Sequence, residues 1–263
     1  YSVLKECDIE YIFHLAAEPY IPNSYDNPEK FFDVNVKGTM NVLMAGHSMG
    51  VKRILHFSSS EVYGTAKQVP IGENHPTLPL STYAVSKLAA DRLCFVLSHE
   101  HGIPVVIVRL FNCYGPRETQ PYVIPEMISQ LSRSRSVTLG NIRAMRDFTY
   151  VEDAVKGVVD LMKSDIPNGE AVNLGSNVCY SIEKLALIVG KIIWNDEIKI
   201  NVDKSRMRRL DVDVLQCDNS KALKHIDWRP KTGIEEGLRL SIEWYNSNDQ
   251  TWSWERLMRD HRG

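Results

Sequence analysis

The sequence predicts the doubly wound α/β class, a parallel sheet with helices on both faces. Three observations carry this reading. Apolar, β-branched runs such as Pro104 to Leu110 read as strands buried on both sides. Amphipathic stretches long enough for helices separate them. Strands that alternate with helices need crossover connections, which place them parallel in one sheet.

Each element follows in order. Ile9 to Ala16 reads as the first strand. Pro28 to Met49 reads as a helix, with Asn27 as its N-cap and Pro28 at the first helical position, where a missing N–H costs nothing. Lys52 to Ser58 is a strand whose centre, Ile54 to Phe57, is mostly apolar. Thr82 to His101 is a helix and Pro104 to Leu110 the next strand. After Asn112 the pattern loosens. A Gly/Pro-containing loop, Cys113 to Pro121, leads to a helix over Val123 to Ser132 and short strands near Val137 and Phe148. A helix over Val151 to Lys163, a strand over Ala171 to Leu174, a helix over Ser181 to Trp194 and a strand over Glu197 to Val202 follow. Thr232 with Glu235 three residues later reads as a capping box that opens a last helix running to about Tyr245. The expected organisation is a sheet domain over 1–112 and a smaller α+β lobe over 113–263, with segments at about 146–176 returning to the sheet domain. No internal repeat or low-complexity segment occurs.

Composition narrows the function classes. Of the 263 residues, 43% are hydrophobic and 24% charged, which excludes disorder and collagen-like repeats. Thirty-one Lys plus Arg against 33 Asp plus Glu leave a net charge of −2, so no nucleic-acid partner held by bulk positive charge is expected. The five cysteines, Cys7, Cys94, Cys113, Cys179 and Cys217, are odd in number and widely spread with no CxxC. That spacing argues against a disulfide framework or metal site and for a reducing, cytoplasmic setting. No apolar run reaches the ~18–20 residues that span a bilayer. The chain opens at Tyr1 with no basic segment leading into an apolar stretch, so no signal peptide is expected.

Tyr83-Ala84-Val85-Ser86-Lys87 places a phenol and an ammonium four apart, on one face of a helix. A neighbouring cation lowers a phenol toward use as a base near neutral pH. The spacing alone also describes an ordinary helix pair, and Tyr1 with Lys5 and Tyr180 with Lys184 repeat it. Context separates them. Ser58-Ser59-Ser60-Glu61-Val62-Tyr63-Gly64 ends a buried strand upstream of Tyr83, and ligands of open α/β sheets bind beyond such ends. A serine hydroxyl there can bridge a phenol and a substrate hydroxyl; the alternative is plain turn chemistry, with Glu61 a solvated loop carboxylate.

With these motifs in family order, the chain resembles the extended short-chain dehydrogenase/reductase family, specifically its NAD-dependent nucleotide-sugar epimerases and dehydratases. The matching stretches are His14 to Glu18 (HLAAE), Asn35 to Leu43 (NVKGTMNVL), Ser58 to Gly64 (SSSEVYG), Tyr83 to Lys87 (YAVSK), Arg109 to Arg117 (RLFNCYGPR), Arg146 to Val155 (RDFTYVEDAV), Val172 to Ser176 (VNLGS) and Asp218 to Ala222 (DNSKA). The resemblance implies a Rossmann-like NAD-binding domain over 1–112 and a nucleotide-sugar-binding lobe after it. Tyr83 would take the proton from the sugar 4-hydroxyl. Lys87 would hold the nicotinamide ribose and tune Tyr83, and Ser59 would bridge Tyr83 and the sugar. Ala16, Ala17 and Ser58 would border the cofactor. Asn112 would contact the nucleotide-sugar, and Arg146, Asn173 and Arg208 would grip diphosphate or nucleotide. A planar guanidinium matches phosphate oxygens. Arg146 could instead pair with Asp147, and Arg206, Arg208 and Arg209 could be a solvated basic cluster. The residue after Arg208, commonly Pro in the family, is Arg209 here.

The family opens on G-x-x-G-x-x-G, which brings a helix N-terminus to the cofactor pyrophosphate. No such cluster occurs, so the first strands of the Rossmann half are expected to be absent, in a fragment or a natural truncation. Glu61 after Ser60 resembles the 4,6-dehydratases, in which Glu at that point would remove the carbon-5 proton. Ser60 stands where some dehydratases carry an Asp acid, so Glu61 or water must protonate the leaving hydroxyl. The implied partner is a UDP- or GDP-linked hexose or N-acetylhexosamine. A 4-epimerase, a decarboxylase of the same family and an inactive binding protein remain open. The resemblance also implies a homodimer through the helices over Pro28–Met49 and Thr82–His101.

Overall fold

The structure, a computed structural model, describes residues 2–118, 121–208 and 210–248. Tyr1 and Arg209 lie outside the described residues. In chain order the elements are α1 (Ser2–Glu6), β1 (Tyr11–His14), α2 (Asn23–Asp26), α3 (Pro28–Phe31), α4 (Gly38–Ser48), β2 (Arg53–Ser59), α5 (Thr82–His101), β3 (Val105–Leu110) and β4 (Asn112–Tyr114). There follow α6 (Val123–Leu131), β5 (Ser136–Leu139), β6 (Met145–Tyr150), α7 (Val151–Met162), β7 (Ala171–Leu174), β8 (Cys179–Ser181), α8 (Ile182–Trp194), β9 (Lys199–Val202), β10 (Val214–Leu215), α9 (Ser220–His225) and α10 (Ile234–Ser247).

The first sheet has the order β1-β2-β3-β7, and every neighbouring pair is parallel. Strand periodicity sorts its side chains. Ile54, Val105 and Ile107 pack with Leu43, Cys94 and Ile103 under α4 and α5. Leu55, Val106 and Val108 face the other way, onto Val158, Leu161 and Trp228 from α7 and the segment after α9. Both faces are therefore covered, the arrangement that continuous apolar strands require. Each fully buried side chain of this kind contributes ~1.5–3 kcal/mol.

The second lobe joins β4, β6 and β10 in one small sheet with β8 antiparallel to β6, and β5 pairs with β9. Its core draws on α6, α8 and α10. The chain passes from β6 directly into α7, which packs against β2, and then into β7 of the first sheet. No helix among the described residues is long and apolar enough to cross a membrane.

Two local expectations are corrected. The Pro28–Met49 stretch is not one regular α-helix: a π-helical segment, Phe32–Lys37, separates α3 from α4. The stretch reads as helical throughout from its sequence, and a short i→i+5 segment within it is set by packing. The capping box at Thr232 and Glu235 does not form. Gly233 is the N-cap of α10 and makes no side-chain cap bond. The Asp153 carboxylate instead accepts from the backbone N–H of Lys231 at 3.0 Å and of Thr232 at 2.8 Å.

A buried ion pair ties the first sheet to α5. Asp91, on α5, accepts from Arg109 Nε at 2.9 Å and Nη2 at 3.1 Å, and from Ser58 Oγ at 2.9 Å. Arg109 also donates to Tyr63 Oη at 3.0 Å. Removing one partner strands a charge in the interior. Asp91→Asn is therefore expected to lower stability by about 3–5 kcal/mol in urea titrations. The double variant Asp91→Leu/Arg109→Met is expected to lose far less than two such penalties, and equal additive losses would show that the pair is not coupled.

Candidate active site

The site grows from the exit of β2. Ser59 has extended backbone, and its Oγ accepts from the Glu61 N–H at 3.2 Å, which starts a 3₁₀ turn over Ser60–Tyr63. Gly64 ends the turn at φ +64°, where a Cβ would lie 1.8 Å from the Leu78 carbonyl oxygen. Only glycine fits there, and the turn it closes fixes where Glu61 points. On the opposite wall Ser81 Oγ accepts from the Ala84 N–H at 3.1 Å and caps α5. The first turn of α5 carries Tyr83, whose ring meets the edge of Phe31 at 6.3 Å between centroids.

Burial pushes the Tyr83 phenol up to about 12; the nearby Ser59 hydroxyl and Arg208 pull it down, and Glu61 pushes it up. Lys87, one helical turn on, is buried, and burial lowers its ammonium to about 8. Its Nζ donates to the Phe57 carbonyl. Ser59 and Arg208 are the groups that favour the Tyr83 phenolate.

A chain of charges faces this pair. Arg208 Nη1 lies 3.1 Å from Glu61 Oε1 and 3.8 Å from Asp211 Oδ1. Arg146 Nη2 lies 3.2 Å from the same Asp211 oxygen. Burial lowers Arg146, whereas Glu61 and Asp211 outweigh burial and raise Arg208. Arg146 does not pair with Asp147, whose carboxylate accepts from the backbone N–H groups of Ser176, Asn177 and Cys217 instead. Arg206 is paired with Glu126 at 3.0 Å, so the basic run is not a uniform solvated cluster.

The other expected site residues divide. Asn112 presents a buried Oδ1 that has no hydrogen-bond partner. Ala16 and Ala17 follow the C-terminal end of β1, beside the exit of β2. Ser60 is buried in the turn with Glu61. Two side chains turn away. The Ser58 hydroxyl is spent on Asp91, so only its backbone can border a ligand. Asn173 is fully buried, accepts from Tyr63 Oη at 2.6 Å and donates to the Ile71 carbonyl at 2.8 Å. Its amide braces the sheet end rather than lining the opening. The Tyr180/Lys184 pair is also broken up, Tyr180 on β8 and Lys184 on α8.

Two residues escaped the sequence. Asn35, in the π-helical segment, pairs with both backbone groups of Glu18 at 2.7 and 3.1 Å and donates to Ser86 Oγ at 2.9 Å. Ser86 in turn donates to the Tyr83 carbonyl at 2.7 Å. Asn35 thereby joins the segment after Ala17 to the turn that bears Tyr83. Glu118, in the loop after β4, has a buried Oε2 with no partner. Burial alone drives its carboxyl up to about 8.

That shift has a stability consequence. The folded protein keeps the Glu118 proton up to about pH 8, whereas the unfolded chain releases it near the ordinary value of 4.5. The group's contribution is complete below that lower value and is lost as pH rises toward 8. Glu118→Gln, neutral throughout, is expected to gain thermal stability over the parent as pH climbs from 5 to about 8. A difference in melting temperature that stays constant with pH would contradict the buried, protonated carboxyl.

The comparisons with known proteins agree on one family. The family described as GDP-mannose 4,6 dehydratase matches residues 1–241. Human dTDP-D-glucose 4,6-dehydratase is 34% identical over 251 residues, covering 93% of this chain and 71% of that protein. UDP-glucuronate 4-epimerase of Thermodesulfobacterium geofontis is 31% identical over 255 residues, covering 94% and 76%. The crystal structure of UDP-glucuronic acid 4-epimerase from Bacillus cereus, in complex with UDP-glucuronic acid and NAD, superposes with a TM-score of 0.86 at 28% identity, over 94% of this chain and 77% of that one. Dehydratases and epimerases are matched at similar identity. The chain belongs to the GDP-mannose 4,6-dehydratase family, among the nucleotide-sugar dehydratases and epimerases of the extended short-chain dehydrogenase/reductase group.

Proposed function

We propose that the protein is an NAD-dependent nucleotide-sugar 4,6-dehydratase. The observation that carries this reading is a carboxylate, Glu61, on the turn that Ser59 starts, close enough to Tyr83 to act on its charge. One site then offers a base for a hydroxyl and a second base for a neighbouring carbon.

The described residues suit the nicotinamide end of NAD, which the similar Bacillus cereus enzyme carries. Lys87 is buried, and its one hydrogen bond among the described residues goes to the Phe57 carbonyl, which leaves N–H groups for a ribose diol. Ala16 and Ala17 would pass their backbone beside the cofactor, with Ser58 contributing only its backbone. When bound, NAD supplies the hydride acceptor at carbon 4 and the hydride donor for carbon 6.

The protein's side chains move the protons. Tyr83 Oη takes the proton of the sugar 4-hydroxyl, with Ser59 Oγ bridging the two oxygens. A phenol held near 12 is a weak base, so the reaction needs the charge of the bound partners to bring it down. Once carbon 4 is a ketone, the carbon-5 hydrogen is acidic and Glu61 removes it. Glu61 or water then delivers a proton to the departing 6-hydroxyl, because Ser60 is too weak an acid; a solvent proton returns to carbon 5 as carbon 6 takes its hydride, and Tyr83 releases the 4-hydroxyl proton to solvent. Asn112, with its unpartnered Oδ1, meets a donor on the nucleotide-sugar, and Arg146 and Arg208 hold the diphosphate in bidentate fashion. In this reading the residues up to 112 serve the cofactor and the later lobe the nucleotide-sugar.

The exposed apolar side chains of Met40 and Met44 on α4 and Val85 and Val96 on α5 support a homodimer through these two helices.

The test is to supply the protein with NAD and a panel of UDP-, GDP- and dTDP-linked hexoses and N-acetylhexosamines and to weigh the products. A dehydratase gives a 4-keto-6-deoxy sugar lighter by one water. A 4-epimerase gives a product of unchanged mass, which would overturn the reading in favour of the sister activity. Tyr83→Phe is expected to cut turnover by roughly 10²–10⁴ with little change in melting temperature. Tyr180→Phe is expected to leave turnover near the parent value, and equal losses in both would remove Tyr83 from its role.

A further inference from the structure

Glu61 and Arg208 stand 147 residues apart in sequence and meet through a single pair, Oε1 to Nη1 at 3.1 Å. The pair is half sheltered: the Glu61 side chain is 13% exposed and that of Arg208 34%. The oxygen that the proposed chemistry needs for a sugar carbon is therefore turned to a guanidinium. That same guanidinium sits where the proposed function needs a cation for the substrate's diphosphate. A second carboxylate waits beside it. Asp211 Oδ1 is 3.8 Å from the same Arg208 Nη1, while Asp211 also accepts from Arg146 at 3.2 Å and from Asn141 Nδ2 at 2.9 Å. Asp211 is thus anchored by two partners of its own and can hold Arg208 within the cationic cluster when Glu61 lets go.

We propose that Arg208 is an exchange cation: a nucleoside diphosphate seated on Arg146 and Arg208 displaces Glu61 from Arg208, and this displacement frees Glu61 to face the sugar. The inference rests on the reading of the site as a nucleotide-sugar site. It adds that the carboxylate and the diphosphate compete for one guanidinium. Asp211 is the positioning residue of the exchange, since it keeps Arg208 beside Arg146 in either arrangement. The geometry favours the exchange on simple electrostatic grounds. A diphosphate brings more negative charge than one carboxylate, and it meets Arg208 and Arg146 together in bidentate contacts. A sugar lacking the diphosphate would leave Glu61 paired, so the carbon-5 base is made available only with the correct substrate in place.

The competition is measurable with the diphosphates alone, without turnover. Calorimetric titration of UDP, GDP and dTDP into the protein gives the reference affinity. Glu61→Gln removes the competitor, and the diphosphate that binds is expected to bind roughly 5- to 20-fold more tightly, within the usual range of coupling between sites. A merely structural loss at Glu61 would weaken binding, not strengthen it. General repulsion between Glu61 and phosphate would also give a gain, so the cycle is closed with Arg208→Ala. Exchange through Arg208 requires that the gain from Glu61→Gln vanish in the Arg208→Ala background. Arg208→Gln repeats the arm if Arg208→Ala does not fold. A gain that persists without Arg208, or no gain with it, overturns the exchange and leaves the nucleotide-sugar reading standing. Failure of all three diphosphates to bind the parent protein overturns that reading, and the exchange with it.

Discussion

One buried carboxylate, Asp91, holds the candidate site together. It lies on α5, the helix that carries Tyr83 and Lys87, and it accepts from Ser58, the residue before Ser59 on β2. It also grips Arg109 on β3 through two nitrogens, and Arg109 reaches Tyr63 at the end of the turn that carries Glu61. The helix, two strands and the turn are thereby tied at one point. Such a pair adds little net stability over a well-packed apolar core, yet losing one partner is costly. It ties the elements that bear Tyr83, Ser59 and Glu61 to one another.

The two larger sheets and their helices contribute different groups to the candidate site. The sheet lobe supplies groups on rigid strand and helix ends: Ser59, Tyr83 and Lys87. The second lobe supplies cations, Arg146 from β6 and Arg208 from the loop before β10, linked through Asp211. The Glu61–Arg208 pair is one of the places where they touch. If the proposed exchange at Arg208 holds, charge on the substrate's diphosphate is felt at the carboxylate.

Much of this was legible in the sequence because it is local. Continuous apolar runs gave the parallel strands, and a serine-rich strand exit followed by Tyr83 and Lys87 marked the site. What escaped is set by tertiary contact. The π-helical segment is too short to mark itself within a helical stretch, so Asn35 read as one more residue of a regular helix although it joins Glu18 to Ser86. Glu118 lies in the loop after β4, and only tertiary packing buries it. Thr232 and Glu235 fit a capping box, but Asp153 reached the backbone N–H groups first. Asn173 and Ser58 carry polar side chains in motifs that line sites, yet both are consumed by the network around Asp91 and Tyr63. The motif identifies the residue; the competition for its hydrogen bonds decides what it does.

The account turns on a division of labour in which Tyr83 serves carbon 4 and Glu61 serves carbon 5. Turnover in deuterium oxide tests it most directly, with the carbon-5 position of the recovered sugar read by NMR. The account predicts that deuterium enters carbon 5 of the product and that Glu61→Gln abolishes this exchange. Carbon 5 that keeps its original hydrogen throughout turnover, or an exchange unaffected by Glu61→Gln, would contradict it.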